Sequence, residues 1–236
     1  MKLNIPFMLD TLPLVLSKLP VTLGLSIGSM ILGGLLGLLI GLIRYYRPPV
    51  INQILMVYIS LIRGIPLLVQ LYLAYFGIPF YINMYCQSAG LPNYTQYIPA
   101  VVYAMLAFSI NTSASTAETF RSALESIDGG QYEAGLSVGM TGRQAMCRVM
   151  LPQAMVAACP NLVNLFIGNI KASSLAYMVT VCEMMGMAVI AASEAYYYLE
   201  AYLITAVIYW VLCMALEKLF WKLEKHLTIF KVRETV

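Results

Sequence analysis

Long apolar runs, interrupted at a few points by charge, proline and glycine, set the pattern of this chain. Val21 to Ile43 runs 23 residues without a charged side chain, enough helix to cross a hydrocarbon core of about 30 Å with some tilt. Its glycines (Gly24, Gly28, Gly33, Gly34, Gly37 and Gly41) recur at near-helical spacing and predict a small-residue face for close packing. Val50 to Tyr81 is longer than one span needs and is interrupted at Arg63-Gly64 and Pro66, which predicts a broken or displaced helix. Gly77 to Pro99 reads as a charge-free loop with tyrosines, Gly90 and Pro92. Ala100 to Glu118 is a third span, one face polar with Asn111, Thr112, Ser113, Ser115 and Thr116. Gln153 to about Ile170 is a fourth, carrying Pro160, Asn161, Asn164 and Asn169. Lys171 to Ser193 predicts a helix break followed by an outward-facing gate segment, and Glu194 to Trp221 the fifth span. Ahead of these, Ile5 to Leu19 mixes apolar residues with Asp10, Ser17 and Lys18, which suits a short interfacial helix. Pro6, Pro13 and Pro20 break the uniform apolar core that a cleavable signal peptide needs.

One stretch departs from the apolar pattern. Ile127 to Pro152 is a polar insert with two helix-start signals. Asp128 with Gln131 forms a capping-box pattern, and Ile127 and Tyr132 sit where a hydrophobic staple would close it. Gly139 is placed to end that helix in the left-handed conformation. Thr141 and Gln144 repeat the box, and the second helix is expected to run to Leu151-Pro152. Two capped helices in a connecting loop of a membrane protein suggest a surface made to be received by a partner. A solvated loop that happens to be helical is the plainer alternative.

Composition agrees with the spans. The 236 residues are 61% hydrophobic and only 11% charged, against about 25% charged in soluble domains, so an all-α polytopic membrane protein of five spans is expected. A net charge of +3 without a basic, aromatic-lined groove gives no case for nucleic acid. The five cysteines are widely spaced with no CxxC, and they read as small apolar fillers. The single histidine, His226, falls in a basic tail and reads as solvated, so no metal site can be assembled. Arg44, Arg47, Arg121, Arg143, Arg148 and the cations from Lys218 to Arg233 fall on one side of the five spans. The positive-inside rule therefore puts the N-terminus outside, and the insert and C-terminus in the cytoplasm.

Several stretches taken together resemble one family. Glu133-Ala134-Gly135, then Gly139, then Leu151-Pro152, is similar to the EAA loop of the membrane subunits of binding-protein-dependent ABC importers, with glycine in place of the usual third alanine. Ile62 to Gln70 resembles the family's IRGTPLLVQ segment, with Ile65 in place of threonine. Ala117-Glu118-Thr119-Phe120-Arg121 through Gly130-Gln131 resembles its AExxR…GQ stretch. Leu151 to Ala154, Phe166-Ile167 and Lys171-Ala172-Ser173-Ser174-Leu175 resemble LPQA…FI…KDTSL. The matches run in order from about Val21 to Leu175 and point to the polar amino acid uptake branch.

The resemblance implies a type I importer permease fold over residues 1–236, with a membrane core at 21–222 and a coupling loop at 127–152. It implies a homodimer or a heterodimer with a homologous permease, an ABC ATPase dimer, an extracytoplasmic solute-binding protein and lipid around the spans, in a bacterial cytoplasmic membrane. The chain has no G-x-x-x-x-G-K-[ST], so ATP and magnesium are expected on the partner ATPase, and the chain itself is expected to be non-catalytic. Glu133, Ala134, Gly135 and Gly139 are the expected coupling residues. For the substrate pathway the candidates are Arg63, Gln70, Asn111, Glu118, Asn164, Lys171, Ser173 and Ser174, since polar groups at membrane depth need partners or a wet cavity. Arg63 is equally compatible with snorkelling or an interhelical ion pair, and Glu118 suits a salt bridge with Arg121. Ala172, where the family has aspartate, removes a partner for Lys171. The few intramembrane acids favour cystine or a neutral polar amino acid over a cationic one. A secondary transporter or channel, and a docking scaffold, are the alternatives; the first needs a coupling carboxylate deep in a span.

Overall fold

The computed structural model describes residues 3–233, with side chains through residue 222. His226 and the tail cations Lys225, Lys231 and Arg233 lie outside the described side chains. Among the described residues every regular element is a helix, and five segments are long and apolar enough to cross a membrane. These are Leu19–Tyr46, Leu67–Ala89, Ala100–Glu125, Gly142–Val179 and Tyr198–Lys222.

An N-terminal helix, α1 (Ile5–Leu16), is capped by Asn4, whose side chain accepts the Phe7 N–H. It packs through Val15, Phe7 and Leu12 on the later helices α10 (Met184–Ala195) and α11 (Tyr198–Arg233). The first span, α2 (Leu19–Tyr46), lies parallel to α6 (Ala100–Glu125), and their contact is the central seam of the bundle. Gly33, Gly37 and Gly41 face that seam so closely that added side chains would strike α6. A Cβ at Gly37 would lie 2.6 Å from Thr116 Cβ, and one at Gly41 would lie 2.7 Å from the Ala117 carbonyl. Gly24 and Gly34 have open space instead, so the predicted small-residue face is narrower than the glycine count.

The second span is broken as expected. After α3 (Pro49–Gly64) the chain is extended at Ile65 and restarts as α4 (Leu67–Tyr72). The loop expected from Gly77 is not there, because a π turn at Leu73–Gly77 carries the helix into α5 (Ile78–Ala89). Pro79 would strike the carbonyl four residues back in a regular helix, and the wider turn relieves it. The helix stops at Gly90, at φ +64°, where Leu91 N–H bonds to the Cys86 carbonyl.

The same device corrects the reading of the insert's second helix. It does not end at Leu151-Pro152. A π turn at Met146–Met150 passes α8 (Gly142–Ala145) straight into α9 (Leu151–Ala172), with Pro152 in the first turn of the new segment. The third span is also longer than expected and carries Arg121 and Glu125 on its final turns.

Beyond α9 the helix tightens to a 3₁₀ turn at Ser173–Val179, Thr180 turns left-handed at φ +64°, and α10 begins. Glu183 caps α10 by accepting the Met185 and Gly186 N–H groups, and the Tyr209 hydroxyl donates to the same carboxylate at 2.7 Å. The break is as expected. The fifth span starts later, after Tyr196 turns left-handed at φ +62°, and Glu194 belongs to α10.

Candidate functional site

The insert folds as a hairpin anchored to the bundle. Helix α7 (Gly129–Ser137) starts at Asp128, whose side chain accepts the Gly130 N–H at 2.9 Å. Asp128 is thus an N-cap, although Gln131 does not complete a reciprocal box. Thr141 and Gln144 do complete theirs. Gly139 turns left-handed at φ +84°, as its position predicts. Gly135 is buried against α8, where an alanine Cβ would sit 3.1 Å from Ala145 Cβ. That contact gives a physical reason for glycine at the third position of the Glu-Ala-Ala pattern.

Phe120, Ala123 and Leu124 of α6 join Met146, Met150, Ala154 and Ala158 in one cluster, with Ile127 and Tyr132 packed on it. The hairpin is thus packed against two spans, α6 and α9. Its outer face stays uncovered: Glu133 and Ala134 are exposed, and Val138 is 76% exposed.

A second set of polar groups lies inside the bundle, beginning where the second span breaks. Gln70 is buried and its Nε2 donates to the Ile62 carbonyl at 2.7 Å and the Ile65 carbonyl at 2.8 Å. It satisfies acceptors that the end of α3 leaves open. Asn111 Nδ2 donates to Gln70 Oε1 at 3.4 Å. Replacing Gln70 by Leu should therefore cost about 1–3 kcal/mol, the usual range for orphaning buried acceptors. Thermal unfolding in detergent would register this as a fall of several degrees.

Toward the insert, charges meet in a chain. Arg44 donates to Glu118 Oε2 at 2.6 Å, Arg121 holds Glu118 Oε1, and Arg121 and Arg47 bond Glu125 at 2.5 and 3.0 Å. The expected Glu118–Arg121 pair is present. Arg44, read from the sequence only as an orientation signal, is an added member. Its place in the last turn of an otherwise uncharged span was the available clue. Arg63 makes no ion pair among the described residues. It is exposed into a cavity of about 450 Å³ that it shares with Arg44, Ser60, Gly64 and Glu118.

The remaining candidates lie on α9 and the turn after it. Asn161, Asn164, Gly168 and Lys171 are exposed along one helical stripe of α9. Lys171 and Ser174 reach a second cavity of about 650 Å³ with Tyr177, Tyr202, Thr205 and Tyr209. Ser173 is fully buried and its hydroxyl donates to the Ile170 carbonyl at 2.7 Å, so it does not line that space. Asn169, the buried asparagine of this helix, donates to Thr112 at 2.9 Å and ties α9 to α6.

Comparison with known proteins decides the class. Residues 33–228 match the family of binding-protein-dependent transport system inner membrane components. The chain belongs to this family. It is 41% identical over 206 residues to the probable amino-acid permease protein YxeN of Bacillus subtilis (strain 168), covering 87% of this chain and 88% of that one. It is 34% identical over 218 residues to the L-cystine transport system permease protein TcyL of the same organism, covering 92% and 89%. Among solved structures it superposes on an amino acid ABC transporter, crystallised with histidines, with a TM-score of 0.81 and 35% identity. That match covers 96% of this chain and 100% of the other. As an ABC importer permease, the chain has the all-helical five-span fold that the sequence implied.

Proposed function

We propose that this permease forms half of an ATP-driven path for a polar amino acid, with the hairpin at residues 127–152 as its contact with a separate ATPase. The observation that carries this reading is the exposure of polar stripes on apolar spans. Asn111, Ser115 and Glu118 follow one helical face of α6, while Asn161, Asn164 and Lys171 follow one of α9, each at least partly exposed. Polar groups exposed at membrane depth need water or a partner. A second permease copy or a homologous chain facing these stripes would enclose them as a wet channel. Glu133, Ala134, Gly135 and Gly139 then form the docking helix and its turn, and ATP with magnesium resides on the ATPase. A solute-binding protein delivers substrate from outside, with the N-terminus outside and the insert in the cytoplasm.

The amino acid is most consistent with cystine or another neutral polar one. Glu118 already holds two arginines, and Glu183 is fully buried as a helix cap. Neither carboxylate is open to a second positive charge on the substrate. Competition for uptake separates the possibilities: neutral amino acids or cystine should compete, and competition by arginine and lysine alone would contradict the preference.

Single cysteines test the path and the orientation together. Cysteines at Ser115 and Asn164 should react with a membrane-impermeant thiol reagent, while one at Leu35, on the outward apolar face of α2, should not. A cysteine at Asn93 should label from outside and one at Gln144 only from inside. Equal reaction at Leu35 and Asn164, or labelling of the two loop positions from one side, would remove the reading.

A further inference from the structure

The cavity beside Arg63 has an electrostatic imbalance that the fold leaves open. Both oxygens of Glu118 are already held, Oε2 by Arg44 and Oε1 by Arg121. Arg63 makes no ion pair with Glu118 among the described residues, and no other carboxylate lines the cavity. Arg44 Nε is buried with no hydrogen-bond partner. The Ile62 carbonyl in the last turn of α3 and the Ile65 carbonyl just past it accept the Gln70 amide. Two guanidinium groups thus share this space with one carboxylate, and that carboxylate is also paired with Arg121. The volume of about 450 Å³ falls within the roughly 300–1,000 Å³ of small-molecule sites.

The faces of α3 say from which side an anion would come. Val50, Ile54, Val57 and Leu61 form an exposed apolar stripe, and Ile59 and Ile62 pack on the bundle. Gln53, Ser60 and Arg63 form the third face, all exposed. Hydrocarbon suits the apolar stripe, and Arg63 lies off it. The cavity also contains Glu118, the last member of the polar stripe on α6. An anion reaching Arg63 therefore arrives along the polar wall.

We propose that this cavity is an oxyanion subsite at the insert end of the path, which takes the α-carboxylate of the translocated amino acid on the guanidinium of Arg63. The proposal rests on the path reading given above. Arginine suits the role because its planar fork can bind both carboxylate oxygens at once. Ser60, one turn away, supplies a hydroxyl on the same face, and Gly64 leaves the space beside it open.

The test uses the permease–ATPase complex in lipid nanodiscs, without binding protein. Its thermal shift is recorded against each L-amino acid, L-cystine and the corresponding α-carboxamides. At least one amino acid should stabilise the complex, with its carboxamide binding at least tenfold more weakly. Arg63→Gln should weaken the acid at least tenfold and leave the carboxamide unchanged. Arg63→Lys keeps the charge without the fork and should weaken the acid severalfold; it carries the test if the Gln variant does not assemble. Replacing phosphatidylcholine with phosphatidylglycerol should not alter these results.

The proposal is overturned if no amino acid gives a shift, if acid and amide bind equally, or if the Arg63 variants bind the acid as the parent does. A shift that follows phosphatidylglycerol content would instead assign the cavity to a lipid phosphate. Uptake by the parent complex, measured in parallel, separates the two levels of the account. ATP-dependent uptake with no Arg63 effect removes the subsite alone, whereas ATP-independent uptake removes the path reading itself.

Discussion

Replacing Glu133 by Lys is expected to reduce substrate-stimulated ATP hydrolysis at least tenfold while the permease still inserts and folds. Glu133 is exposed on α7, and its side chain makes no bond among the described residues. Removing it leaves no buried group unsatisfied. In the proposed docking Glu133 would meet a basic group of the ATPase, and reversing its charge would then place like charges together, which costs several kcal/mol across an interface. Gly139→Val should give the same phenotype by another route. A Cβ at Gly139 would meet nothing within 4 Å, so no clash arises, but φ is +84°. Left-handed backbone costs an L-residue about 1–2 kcal/mol, and a β-branched one more. The α7–α8 turn would relax and tilt the exposed face. Assembly with the ATPase, scored by co-purification, should fall in both variants, while the solute-binding protein still binds its ligand.

The largest effect on folding is expected at Gly37. A side chain there would meet Thr116 Cβ at 2.6 Å and the Ser113 carbonyl at 2.7 Å, and backbone on α6 has little freedom to move aside. Overpacking in a well-packed core typically costs about 1–3 kcal/mol, and a contact against backbone falls at the upper end for alanine and beyond it for leucine. Gly37→Ala should lower the thermal midpoint in detergent, and Gly37→Leu should yield little monodisperse protein. Gly34→Ala, three positions away with open space around it, is the control and should be close to neutral. Equal tolerance at both positions would mean that α2 and α6 do not meet at this seam.

Much of this architecture was legible because the bilayer imposes simple rules. Uncharged runs gave the spans, Arg63-Gly64 and Pro66 gave the break, and Gly139 gave the turn of the hairpin. Two of the differences share one cause. The loop expected from Gly77 and the helix end expected at Leu151-Pro152 both fall where a π turn carries the helix past a proline, Pro79 in one case and Pro152 in the other. Gly90, the true stop of α5, carried no louder signal than Gly77. The candidate site was less legible because its members are defined by who meets whom. Gln70 and Ser174 have the same polar character in sequence, but one closes a helix break and the other lines a cavity. The pairing of Arg44 with Glu118 spans 74 positions, and nothing local marks it. That pairing leaves Arg63 unneutralised, so the imbalance became visible only in three dimensions.

The most direct measurement is uptake of radiolabelled cystine and neutral polar amino acids into proteoliposomes that contain the permease, with its solute-binding protein outside. One preparation carries the partner ATPase with ATP and magnesium at the insert side, and the other omits the ATPase. Uptake against a gradient should occur only in the first, and Glu133→Lys should abolish it there. Accumulation at the same rate without the ATPase would contradict the account.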